Sequence, residues 1–215
     1  MGGPRPWKLA WIVNAQKAGT FLAVGAMMAW YGNLSTAAWI YLALHGSYGL
    51  VWILKDLAFP DPSWQQRVTL GGGINAFVLV LAWYWAIAWM LISGFSQPVY
   101  PLPAAAWYCL CISTCILGCV IMVAADAQKF FTLRLRPGLI SDGMFAHVRH
   151  PNYLGEILVY ASFALMVWHW LAWAILLAVW LLVFAPNMRM KEASLSRYPG
   201  WAEYRSRTGW LLPWA

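Results

Sequence analysis

The chain has 215 residues, of which 62% are apolar and 10% charged, with 17 Trp against seven acids. Soluble domains carry about 25% charged residues, so a soluble globular enzyme, a disordered chain and a secreted disulfide scaffold are excluded, and a polytopic membrane protein remains. The net charge of +7 fits a positive-inside bias together with an anionic ligand better than a nucleic-acid partner.

Six apolar stretches follow in chain order, near residues 18–32, 36–58, 70–94, 104–125, 153–167 and 170–186. They predict an all-α transmembrane helix bundle of about six spans, within a range of about five to seven because the last two stretches are short for a bilayer. Trp168-His169 alone separates those two, as in a tight helical hairpin. With the N-terminus inside, the loops near 33–35, 95–103 and 168–169 lie outside, and none contains Lys, Arg, Asp or Glu. All 14 basic and all seven acidic residues, Lys17 and Lys55 among them, then fall on the other side. This split places both termini on the cytoplasmic (or matrix) side. No cleavable leader, internal repeat or linker is visible, so residues 1–215 are expected to form one integral-membrane domain. An endoplasmic-reticulum, bacterial inner or organelle membrane suits it equally.

Cys109, Cys111, Cys115 and Cys119 share one stretch. Cysteines four apart on one helix make poor disulfide geometry, and one helix does not wrap a tetrahedral ion. They read as small packing residues, and no metal is assigned.

At about 100° per residue, Tyr41, His45, Tyr48, Trp52, Lys55 and Asp56 occupy one arc of the second stretch roughly 100° wide. A histidine and two tyrosines at membrane depth are costly unless they face the bundle interior or a cavity. One reading is a substrate-cavity wall with Tyr48 or His45 as proton donor. The other is that these groups satisfy one another or hold a neighbouring helix. Asn75, beside Gly71-Gly72-Gly73, is a weaker candidate, and those glycines also suit close helix contact.

The densest polar chemistry lies in 126–156. Lys129, Arg134, Arg136, Arg149, His147 and His150 make an anion site where a span meets the cytoplasm. Arg groups suit phosphate or carboxylate. Pro151 restricts His150 to extended geometry and opens the next helix, putting Asn152 and Tyr153 in a first turn whose free N–H groups favour an anion. Glu156, one turn deeper, is either paired or functional, and joins Tyr48 and His45 as a candidate catalytic group. The basic tail 187–215 either lies on the membrane surface or folds over 126–156 as a lid. The two segments, 126–156 and 187–215, are the expected cofactor-binding elements.

Arg149-His150-Pro151-Asn152-Tyr153-Leu154-Gly155-Glu156, preceded by Gly143-Met144-Phe145 and followed by a helical hairpin, resembles the C-terminal half of the membrane steroid 5α-reductases and sterol reductases. Asp126-Ala127-Gln128-Lys129 resembles the polar segment before that motif, and the tail from Glu192 through Tyr204 to Pro213 has a counterpart too. The resemblance covers roughly residues 120–215. Isoprenylcysteine carboxyl methyltransferases share the Arg-His-Pro-x-Tyr part. The resemblance implies an NADPH site, with Asn152 and Glu156 on the nicotinamide side and Lys129, Arg134 and Arg149 on the phosphates. Arg189, Lys191, Glu192, Tyr204 and Arg205 would close over the nucleotide; Asp126, Gln128, Arg136, His150 and Tyr153 complete the expected cofactor set. The Gln-Glu pair with which the 5α-reductases grip a steroid ketone is missing here.

Three functions follow. The first is an NADPH-dependent reductase of a C=C in an apolar steroid-, isoprenoid- or lipid-like small molecule entering from the lipid bilayer. The second is an S-adenosylmethionine-dependent methyltransferase of a lipid or prenylated acceptor. The third is a non-catalytic subunit of a larger membrane complex.

Overall fold

The computed structural model describes residues 3–213, so Trp214 and Ala215 of the tail, and Met1 and Gly2, lie outside the described residues. The chain runs β1 (Trp7–Lys8), α1 (Leu9–Tyr31), α2 (Thr36–Ala58), β2 (Arg67–Val68), α3 (Leu70–Ala76), α4 (Ala82–Ile92), α5 (Ala104–Leu135), α6 (Pro151–Val167), α7 (Trp170–Val179), α8 (Ala185–Leu195) and α9 (Trp201–Arg207). A π turn at Phe77–Leu81 joins α3 to α4 into one rod, Leu70–Ile92, and another at Trp180–Phe184 joins α7 to α8 into Trp170–Leu195. β1 and β2 form a two-residue antiparallel pair that the sequence did not announce.

The result is an all-α membrane bundle. Among the described residues, four helices are long and apolar enough to cross a bilayer: Thr36–Ala58, Leu70–Ile92, Ala104–Leu135 and Trp170–Leu195. α6 has only 17 residues and lies at the centre, with Val159, Tyr160, Phe163, Ala164 and Met166 buried. α1 begins at Leu9 rather than near residue 18, so Lys17 is not a surface charge. It sits within the helix and is 2% exposed. Its neighbours Asn14 and Gln16 lower the hydropathy there, but they face protein, not lipid.

Local chemistry sets the turns. Gly32 takes a left-handed conformation (φ 63°) and closes α1, and Asn33 then donates through Nδ2 to the Ile92 carbonyl, 3.0 Å away. Ser35 caps α2 by accepting from the Ala38 N–H. The expected hairpin is present: Trp168 is left-handed (φ 44°) and His169 Nδ1 caps α7 by accepting from Leu171 N–H. The last carbonyls of α6 are satisfied from the 95–107 segment, by Ser96 Oγ, Tyr100 Oη and Trp107 Nε1.

Two close crossings bring the helices together. α5 meets α6 at Gly118 and Gly155, and α2 meets α1 where Gly49 lies against the Lys17 carbonyl. Small residues at such points let backbones approach. Gly73 does the same against Ile12, whereas Gly71 faces open space and Asn75 is exposed, away from the interior. The four cysteines are free thiols; Cys111 and Cys115 are buried in α5.

Candidate functional site

Two connected cavities lie at the charged end of the bundle. A chamber of about 560 Å³ runs between α1, α2, the two π turns and α6. A smaller cleft of about 210 Å³ lies between the end of α5, the 138–150 loop, α8 and α9. Asn152, Lys191 and Ser194 border both. Both π turns contribute to the chamber, Val80 and Leu81 from one, Val183 and Phe184 from the other; π turns recur at functional sites. An open apolar groove beside Trp7, Trp11 and Phe77 carries no ionisable side chain.

The tail closes the cleft. Val148 bridges Gly209 in parallel, Arg149 N–H donates to the Gly209 carbonyl and His150 N–H to that of Trp210. Tyr204 Oη donates to the Phe145 carbonyl at 2.8 Å. Burial pushes the Tyr204 phenol up to about 12, so it stays a donor. Arg149 does most of the fastening. Its Nε donates to Glu192 Oε1 at 2.5 Å, and its Nη1 reaches the Arg205 and Thr208 carbonyls. Of the two expectations for the tail, the structure gives the lid.

Ion pairs tie the rest. Lys129 pairs with Asp61 at 2.6 Å and Lys55 with Asp126 at 2.5 Å. Burial pulls the Asp61 carboxyl up, but Lys129 and the hydrogen bonds from Ser63 outweigh it and hold the group well below the usual carboxylate range. His150 lies 3.5 Å from Glu192, without hydrogen-bond geometry at Nε2. Burial, against the pull of Glu192 and with Lys191 and Arg149 nearby, pushes its imidazole down to about 4, so the ring is neutral at pH 7. His150 stands at φ −128°, ψ 57°, short of the extended geometry expected before Pro151, which opens α6 as expected.

The sequence-predicted residues divide sharply. Asp126, Asn152, Tyr153, Glu156 and Lys191 line the chamber; Lys129, Arg149, His150, Asn152, Lys191 and Tyr204 line the cleft. Glu192 borders neither cavity and instead anchors Arg149. Gln128 braces the loop, bonded to the Asp142 carbonyl and Met144 N–H. Arg134, Arg136, Arg189 and Arg205 are exposed and line neither cavity, Arg136 being matched by Asp142 at 2.6 Å. The loop and helices that carry these four turn their side chains outward, which spacing alone does not reveal.

The second-helix stripe also divides. Trp52 and Lys55 reach the chamber. His45 does not: its ring stacks on Phe163 at 4.4 Å with both nitrogens buried and unpartnered. Tyr48 is 1% exposed and does not line the chamber itself but backs its wall, its Oη 3.0 Å from the Tyr160 Oη and its ring beneath Lys17. The groups the sequence reading missed are Lys17, Tyr84 and Tyr160, which all line the chamber. Lys17 Nζ donates to Tyr160 Oη at 3.1 Å and lies over the rings of Tyr48, Tyr84 and Tyr160 at 4.5–5.2 Å. The polar run Asn14-Ala15-Gln16-Lys17 at the head of the first apolar stretch was the available signal.

Several polar groups at the cavity junction have no intramolecular match. Among the described residues, Asn152, Asn187 and Ser194 make no side-chain hydrogen bond, and Lys191 has no acid within ion-pair distance, only the Tyr153 ring at 4.7 Å. Glu156 has none either. An anion would satisfy Lys191, a donor-and-acceptor group each of Asn152, Asn187 and Ser194, and a donor Glu156.

Neither the curated proteins nor the solved structures give a match to this chain. A family model does match, that of DUF1295, described as a protein of unknown function, over residues 61–208. The match runs from Asp61, in the chamber wall, to Thr208, in the lid. It takes in the whole cleft and well over half of the chain, and on that ground the protein belongs to the DUF1295 family.

Proposed function

We propose that the chain is an NADPH-dependent membrane reductase, acting on a C=C of an apolar steroid-, isoprenoid- or lipid-like substrate. One observation carries the reading: a cleft at the charged end that presents Lys129, Arg149 and Lys191 among apolar side chains, and an aromatic-walled chamber in the bundle, meet at Asn152 and Lys191. A cofactor and an apolar acceptor would come together there. The resemblance of Arg149 through Glu156 to the steroid and sterol reductases supports it.

The residues present fit the group. Asn152 would bind the carboxamide and Lys191 would face phosphate oxygens, with Tyr204 and the lid excluding water. NADPH would supply hydride when bound. The chain itself would orient cofactor and acceptor, keep the chamber dry and provide a proton.

A second reading, an S-adenosylmethionine-dependent methyltransferase, is favoured by one fact: Arg149 and Lys129 are already matched by Glu192 and Asp61. That leaves fewer free cations than a pyrophosphate and a 2′-phosphate invite. A thermal-shift titration of the detergent-purified protein with NADPH, NADH and S-adenosylmethionine separates these. Stabilisation by NADPH, reduced in Lys191→Met, is the expected result. Stabilisation by S-adenosylmethionine alone would overturn it, and a flat response to all three would point to a non-catalytic subunit.

A further inference from the structure

The structure assigns the acid of this reaction to Tyr160, with Lys17 as the charge partner that sets its strength, an inference that rests on the reductase reading. Lys17 is 2% exposed at the inner end of the chamber. A cation at such depth is expensive and marks function unless it is paired. Among the described residues no acid lies within ion-pair distance of it; the other charged groups acting on the pair from the chamber wall are the Glu156 carboxylate, one turn before Tyr160 on α6, and Lys55 on α2. Instead its Nζ donates to Tyr160 Oη at 3.1 Å, and four aromatic rings surround it, the nearest at 4.5 Å. Such rings hold an ammonium without neutralising it. α2 comes near enough to build this cage because Gly49 lies against the Lys17 carbonyl, where a Cβ has no room.

The phenolic oxygen of Tyr160 has two acceptor sites and one proton. Lys17 fills one site, and the Tyr48 hydroxyl, 3.0 Å away, fills the other when it donates. Tyr160 itself lines the chamber, so with Tyr48 donating, its proton is the one that can be passed to a bound acceptor. Face-to-face stacking on Tyr84 at 4.2 Å fixes the ring. Neither Tyr48 nor His45 has this position: one backs the chamber wall without lining it, and the other stacks on Phe163 away from it.

NADPH, when bound, would supply the hydride for one alkene carbon, and Tyr160 would give its proton to the other, which receives the π electrons. The phenolate left behind is offset by the Lys17 ammonium and regains a proton from water on product exchange. One hydride and one solvent proton are consumed per C=C. Tyr160 is the catalytic residue; Lys17 is a positioning residue acting through it.

The test needs no substrate. A fluorinated tyrosine placed at position 160 of the full-length protein in detergent brings its ionisation into an accessible range, read by ultraviolet absorbance against pH. Its midpoint should rise by one pH unit or more, about tenfold, in Lys17→Met, stay near the Lys17 value in Lys17→Arg, and move less in Tyr48→Phe. An unchanged midpoint in Lys17→Met, with thermal unfolding showing a folded protein, would overturn the assignment. If Lys17→Met does not fold, Lys17→Gln carries the same expectation; if neither charge-removing variant folds, loss of the low midpoint in Lys17→Arg would overturn it. NADPH thermal shift on the unlabelled protein is scored separately: its failure would sink the reductase reading, while the midpoint still decides whether the two residues are coupled.

Discussion

Gly118 of α5 and Gly155 of α6 touch backbone to backbone: a Cβ on Gly118 would stand 2.6 Å from the Gly155 carbonyl oxygen, and one on Gly155 would stand 2.5 Å from Met122 N. Glu156 follows Gly155, so this crossing sets how far α6 brings the chamber's carboxylate toward α5. The obstacle on each side is backbone, which cannot swing away.

Gly155→Ala should therefore destabilise the protein by about 1–3 kcal/mol or more, as overpacking does. Gly71→Ala, whose Cβ would meet open space, should leave thermal unfolding in detergent nearly unchanged. Equal unfolding temperatures for the two variants would contradict the close crossing.

Arg149 is the tail's main fastening. Arg149→Ala should cost about 3–5 kcal/mol, because Glu192 is left with an uncompensated charge, and should raise protease cleavage within 195–207. Glu192→Gln keeps a hydrogen-bond acceptor and should be milder. The check is limited proteolysis beside a melting curve.

The lid should also loosen in acid. His150 has a folded value near 4 against an ordinary 6.5, so it stays neutral when docked and takes a proton more readily when released. Its contribution is complete above about 6.5 and is lost as the pH falls from there through about 4. Asp61, held low by Lys129 despite burial, adds stability above the ordinary carboxylate value that disappears only at still lower pH. Protease access to the tail should thus rise between pH 6.5 and 4, and His150→Gln should flatten that rise.

Lys191 should matter for NADPH and the exposed arginines should not. Losing one charge-assisted hydrogen bond costs about 1.5–3 kcal/mol, so Lys191→Met should weaken binding roughly 10–100-fold. Arg134→Ala and Arg136→Ala, outside the cleft, should bind within about twofold of the parent. Isothermal titration calorimetry reads both.

How much of this was legible in the sequence varies by element. The second apolar stretch, 36–58, coincides with α2, because neutral residues bound it sharply. The head of α1 was not legible: hydropathy records that Asn14, Gln16 and Lys17 are polar, and not that they face protein. The wheel placed His45, Tyr48, Trp52 and Lys55 on one arc correctly. Depth then decided the outcome, since only Trp52 and Lys55, nearer the charged end, reach the chamber. The cluster from Lys129 to Glu156 was legible as chemistry, but not that Arg149, besides lining the cleft, fastens the lid. Its partners lie 43 to 59 residues downstream, beyond the reach of any local pattern.

Lys17 also bears on how the protein is made. Its hydrogen-bond partner Tyr160 is 143 residues later in the chain, so α1 emerges with a buried-to-be charge whose ring neighbours Tyr48, Trp52 and Tyr84 arrive with α2 and α4 and whose hydrogen-bond acceptor arrives only with α6. During synthesis that helix should linger at the bilayer surface or lean on the translocation machinery until α6 arrives. A nascent chain stopped after α5 should then leave α1 accessible to water-soluble thiol reagents at an introduced Val13→Cys, and extension through α6 should shield it.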